Sequence, residues 1–176
     1  MLKTVLFILC TSLIGAVFVG DAGAQTSRNS VGPREVNGTY RYNFTGQFKR
    51  LSSEIKILAL GKGKVKLAFE LTYPYIDGNG DMSANEGTLE GIADISGDTA
   101  IYSSNEFGEC RITIKFVKPE TINVSEEGGS VCGFGHNVSA NGTFRKVCSI
   151  KPKFYQFNYQ KCPNLNCGHF GYWRNI

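Results

Sequence analysis

The sequence is short of the residues most often recruited for chemistry, with two histidines and one tryptophan in the whole chain. It has no G-x-S-x-G elbow, no H-E-x-x-H pair and no phosphate-binding loop, so it offers no motif for serine-hydrolase, zinc-protease or nucleotide-dependent chemistry. A catalytic carboxylate pair such as Glu70 with Asp94 stays open, because any two strands can bring such groups together. No window carries a helical apolar stripe, which argues against an α or α/β domain. Beyond Val19 no apolar span reaches membrane length. A further lack is local: from Arg145 to Ile176 there is no Asp or Glu.

What is present at the start is a three-part export pattern over residues 1–24. Lys3 precedes the apolar run Val5 to Val19, and the small residues Ala22, Gly23 and Ala24 stand just before Gln25. This predicts a cleaved signal peptide and a secreted or periplasmic product without a transmembrane anchor. Asp21 lies close enough to the cut to shift it by a few residues. Cys10 lies inside the apolar run and leaves with the signal, and no lipobox follows. The expected organisation is a polar lead-in at 25–35, a β domain at 36–146 and a cysteine-rich tail at 147–176. In an oxidising compartment Cys110, Cys132, Cys148, Cys162 and Cys167 should mostly pair. Their odd number leaves one thiol free or joined to a second chain, as in a disulfide-linked dimer. Sequons at Asn37, Asn43, Asn123, Asn137 and Asn141 carry meaning only in a eukaryotic secretory pathway.

The middle of the chain alternates with period two. Ile55, Ile57 and Ala59 share one face, and after Gly61-Lys62-Gly63 so do Val65, Leu67, Phe69 and Leu71, which reads as a hairpin. Leu89, Gly91, Ala93 and Ile95 alternate up to a turn at Ser96-Gly97-Asp98. Cys110, Ile112, Ile114 and Phe116 point inward in the clearest strand, and Ile122 and Val124 follow after Lys118-Pro119-Glu120. The expectation is an all-β fold, a small antiparallel up-and-down barrel of about eight strands. Asn37-Gly38-Thr39-Tyr40-Arg41 recurs as Asn141-Gly142-Thr143-Phe144-Arg145. First and last strands pairing there would close the barrel and leave no edge, the alternative being two separate Asn-Gly hairpin turns.

Four stretches are candidate sites. Cys132 and His136 lie between glycines, but four residues along a strand span about 13 Å, too far for a nucleophile and its base. With Cys110 inward on one strand and Cys132 starting the strand two further on, a disulfide is the better reading. It would stabilise by about 3 kcal/mol in the chain-entropy account. Gly133 and Gly135 suit a bulge or a close backbone approach.

Asp77, Asn79 and Asp81 place oxygen ligands as a calcium loop does, inside a loop expected to run from Asp77 to Glu86. Met82 stands where such a loop needs glycine and Thr88 where it needs a bidentate Glu. The alternative is a solvated connection, and no other cofactor is expected.

From Arg145 to Ile176 there are six basic residues and no acidic one, whereas Gln25 to Phe144 has 12 basic and 14 acidic residues. Lys151, Lys153, Tyr155, Tyr159, Tyr172 and Trp173 are therefore candidates for a protein partner or a polyanionic or glycan surface. Packing of Phe154, Phe157 and Tyr159 on a barrel end is the competing account. Nucleic acid is not expected for an exported chain. Cys148, Cys162, Cys167 and His169 form an alternative zinc set.

The run from Gly108 to Lys146, with G-x-C-x-I-x-I-x-F, C-G-F-G-x-N-V and G-T-F-R-K, resembles a pattern in small secreted bacterial β proteins. These are loosely similar to periplasmic lysozyme inhibitors and lipocalin-like binders. The resemblance implies the β fold and a bacterial envelope protein, and by analogy of fold the expected function is non-catalytic binding. In the inhibitor version, Tyr73–Glu86 at one barrel mouth or the edge Gly129–His136 at the opposite one would enter an enzyme cleft. The other versions are a carrier of a small hydrophobic ligand and a subunit of a surface assembly.

Overall fold

The computed structural model describes residues 30–154. The expected signal segment lies outside them, as do Tyr155, Tyr159, Cys162, Cys167, His169, Tyr172 and Trp173.

Eight antiparallel strands close into a barrel in chain order, each paired with its neighbours in sequence. They are β1 (Gly38–Asn43), β2 (Ser52–Gly61), β3 (Lys64–Ile76), β4 (Met82–Ser96), β5 (Thr99–Ser104), β6 (Cys110–Lys118), β7 (Thr121–Glu127) and β8 (Gly142–Cys148). The seam falls where the repeated motif predicts it. Tyr40 stands opposite Lys146 and Arg41 opposite Arg145, so β1 meets β8 and neither strand is left as an edge.

The alternation of the sequence becomes the barrel's inside and outside. Ile55, Ile57, Val65, Leu67, Phe69, Leu71, Ile112, Ile114, Phe116 and Ile122 are all buried in one cluster. Outside, charged rungs run across neighbouring strands: Arg41 with Glu54, Lys56 with Glu70, Lys66 with Glu90 and Lys64 with Asp94. The β2–β3 hairpin turns on Lys62 and Gly63, with φ of 51° and 70°. Two consecutive positive φ angles match the right-handed twist of the strands they join.

Connection parity divides the barrel into two ends. Short turns join β2 to β3, β4 to β5 and β6 to β7 at one of them, here the turn end. Longer connections join β1 to β2, β5 to β6 and β7 to β8 at the other, the loop end, together with the β3–β4 turn.

Each end is plugged. At the turn end the helical turn α1 (Pro33–Val36) lays Val36 into the core. Val31 N–H donates to Gly97 O at 3.1 Å and Ala59 N–H to Asn37 Oδ1 at 2.6 Å. The Tyr40 hydroxyl donates to Glu35 O at 2.6 Å and Val36 O at 3.1 Å, and Lys146 Nζ donates to Arg34 O and Glu35 O. The carbonyls at the end of α1 are thereby satisfied by side chains rather than by a continued helix. Asn37, the first sequon, is buried by this arrangement, whereas Asn43, Asn123, Asn137 and Asn141 are exposed.

At the loop end the β7–β8 connection folds inward. Phe134 and Val138 are buried, and the Phe134 ring stands 5.9 Å from that of Phe69. Glu126 Oε2 accepts from Ser139 Oγ at 3.0 Å and Ala140 N–H at 2.7 Å, which anchors the connection's return.

Candidate functional site

With its interior filled and both ends plugged, the barrel keeps its accessible features outside. Two depressions, of about 180 Å³ beside Val31 and Val36 and about 170 Å³ beside Thr88 and Tyr102, are partly open to solvent.

The disulfide Cys110–Cys132 is formed, so the Cys132 and His136 pair has no thiol to act as a nucleophile. Its setting differs from the expected one. Cys132 closes a 3-10 turn, Gly129–Cys132, within the β7–β8 connection and begins no strand. The glycines flanking it allow that tight turn, with φ of 112° at Gly128 and 83° at Gly133. Cys148 is also disulfide-bonded, which removes it from the alternative zinc set.

Half of the expected loop Asp77–Glu86 is strand. Met82–Glu86 pairs with Thr72–Ile76, from Ile76 opposite Met82 to Thr72 opposite Glu86. Only Asp77–Asp81 turns. Asp77 Oδ1 accepts the N–H groups of Asn79 and Asp81, each at 2.9 Å, and Asp77 N–H donates to Asp81 O. One oxygen of the first calcium-ligand candidate thus serves the turn's own backbone. Among the described residues no group of three or more His, Cys, Asp or Glu gathers as a metal site would.

The β3–β4 hairpin outruns its neighbours. The β2–β3 ladder ends at Glu54 opposite Glu70, extended only by Ser52 and Ser53 contacts to Thr72. The β4–β5 ladder has three rungs, Asp94 to Ser96. Residues Tyr73–Asn85 therefore form a two-stranded arm beyond the barrel wall.

Apolar side chains occupy both faces of the arm. Tyr73 and Tyr75 continue the inward parity of Phe69 and Leu71, with rings 6.5 Å apart and nearly parallel. Ile76 and Met82 are opposite one another on the other face. Tyr73, Ile76 and Met82 are 40, 43 and 44 % exposed, on an arm of two strands only. Tyr42 and Phe107 add exposed rings at the same end.

The base of the arm is braced by the β7–β8 connection. Asn85 Nδ2 donates to His136 O at 2.8 Å. Gly135 lies so close that a Cβ there would come within 2.5 Å of Glu86 O, which explains glycine at this position. Tyr73–Glu86 and Gly129–His136 therefore lie at one end, not at opposite mouths as expected. Both join an odd-numbered strand to the following even one, and in an up-and-down barrel all such connections share an end.

Of the tail candidates within the described residues, Lys151 and Lys153 are exposed on either side of buried Pro152. Phe154 lies against Lys66 on the outer face of β3, with Nζ 4.6 Å from the ring centroid. This aromatic packs on the barrel wall and not on a barrel end. Among the described residues no helix is long and apolar enough to cross a membrane. Sequence reading missed the exposed Ile76, Met82 and Phe107, whose signal is an apolar residue at positions that look like turn or loop.

No protein-family model, curated protein or solved structure matches the chain.

Proposed function

We propose that the chain is a non-catalytic, exported binding protein of the cell envelope that works by inserting the β3–β4 arm into the cleft of a secreted hydrolase, with lysozyme the concrete case. The observation that carries this reading is the arm itself. A strand in a barrel has one face on the core and one in water, so a ribbon apolar on both faces suits a site enclosed from two sides. The stacked tyrosines and the brace from Gly135 and Asn85 hold it in shape before binding, which lowers the ordering cost of association.

The carrier alternative has less support, because aromatic and branched side chains fill the barrel. The surface-assembly alternative rests on the odd cysteine, which no described contact favours.

The test is inhibition of lysozymes of several types by the purified protein, with a Tyr73→Ser, Ile76→Ser, Met82→Ser variant in parallel. The expected result is stoichiometric inhibition of at least one type and a loss of about 100-fold or more in affinity for the variant. Full lysozyme activity at about micromolar excess of the wild-type protein would sink the reading.

A further inference from the structure

The arm stands in a tract of one charge. From Leu71 to Cys110 the sequence has eight acidic residues, Asp77 through Glu109, and no Lys, Arg or His. Glu90 and Asp94 are matched by Lys66 and Lys64 across the β3–β4 rungs, and Asp98 lies at the turn end. The remainder collects at the loop end. Asp77 and Asp81 sit in the arm tip, Glu86 at its base, and Glu106 and Glu109 in the β5–β6 connection beside it.

Glu126 and Glu127 close β7 at this same end. The opposing cations there are Arg111, on the rung opposite Glu127, and Lys49 and Arg50 between β1 and β2. The turn end has no such excess, since Arg34, Lys62, Lys64, Arg145 and Lys146 stand there with Glu35, Asp94, Asp98 and Glu120. The barrel is therefore polarised along its axis, with the aromatic arm at the negative pole.

We infer that the arm's partner is a cationic protein, a reading that rests on the arm being the binding element. Anionic lipid, nucleic acid and acidic polysaccharide would meet like charge at this end, and the cost of bringing them close would rise with every carboxylate. A basic cleft rim would instead be drawn in over about 10 Å at ordinary ionic strength and oriented with the arm leading. The acidic residues would act mainly on the rate of association, and the apolar residues of the arm on the lifetime of the complex. This places the selective surface opposite the basic tail in sign.

The experiment measures association and dissociation rates of the full exported chain with a basic lysozyme, at low and high sodium chloride. A Glu86→Lys, Glu106→Lys, Glu109→Lys variant and the milder Glu86→Gln, Glu106→Gln variant are compared, each with its folding checked by thermal unfolding. All three positions are exposed. The expected result is an association rate that drops about tenfold or more both with salt and with charge reversal, and less with the Gln variant, while dissociation changes little. If neither salt nor charge reversal alters association, yet the Tyr73, Ile76, Met82 variant still abolishes binding, the cationic-partner inference is overturned and the arm reading stands. Absence of binding at every salt concentration overturns both.

Discussion

Tyr40 and Lys146 hold the turn end together, and they answer pH with opposite signs. Burial first, and then the carboxylates of Glu35 and Glu120, push the Tyr40 phenol well above its ordinary 10.0. Burial pushes the Lys146 ammonium below its ordinary 10.5, while Glu120 and Glu35 pull it back up. For the phenol, the unfolded chain releases its proton above pH 10 and the folded chain does not, so stability present below pH 10 is lost as pH rises past it. For the ammonium the folded chain releases first, so this group alone adds stability as pH climbs toward 10.5. Tyr40→Phe isolates the first effect. At neutral pH it should cost about 1 kcal/mol through the lost bonds to Glu35 O and Val36 O. Above pH 10 the gap should narrow by about 1.4 kcal/mol per unit, because the Phe variant has no phenol to titrate. Urea midpoints of the two proteins between pH 8 and 11.5 check this, and parallel curves would refute it. The meeting of β1 and β8 follows from the motif echo in the sequence, though not the register that sets Tyr40 opposite Lys146, a residue outside the repeat. Nor does the contact of these two residues with α1, since a four-residue helical turn is too short to show a period.

Among the elements, the connections carry what the strands do not. The strands are legible because the core selects one face, so Ile112, Ile114 and Phe116 announce themselves through alternation. The start of β4 is not, because Met82–Glu86 lacks any such pattern. It is held extended by its ladder to β3, a partner-imposed conformation that a local reading assigns to a loop. The β7–β8 connection has the same difficulty: its plug, Phe134 and Val138, is fixed by a disulfide and by glycine contacts, not by periodicity. Cys110–Cys132 bridges a sequence separation of 22, and removing it frees the connection in the unfolded chain more than in the folded one. The Cys110→Ala, Cys132→Ala variant should therefore lose about 3 kcal/mol on the chain-entropy account. Denaturant unfolding should show that loss, and wild-type protein under strong reductant, which opens the Cys148 disulfide as well, should lose at least as much. A variant as stable as wild type would mean that Glu126 and Gly135 hold the plug unaided. The candidate site was half legible for the same reason. Tyr73–Glu86 and Gly129–His136 stand out in composition, but their meeting depends on strand parity, which an approximate strand count does not fix.

For the molecule as a whole, the decisive property is that the barrel's interior is packed with its own side chains. Eight strands give an interior that residues can fill, and here Tyr40, Phe69, Phe116, Phe134 and Phe144 fill it. Tyr40 and Phe116 meet edge to face with centroids 6.3 Å apart, and Phe69 meets Phe134 in the same manner. Such an interior should reject a ligand that needs a cavity, so a fluorescent fatty acid should show no saturable binding to the wild-type protein. Phe69→Ala supplies the positive control. Phe69 is only 1 % exposed, so its truncation should cost about 3–5 kcal/mol and leave an apolar void bounded by Phe134 and Leu71. A void of that kind stays dry and takes up a small apolar probe such as benzene, which should raise the melting temperature of the variant and leave the wild type unchanged. Uptake of one equivalent of fatty acid by the wild-type protein would reverse the argument. The plugs at Val36 and Phe134 would then be doors, and the arm would be the rim of a carrier's mouth.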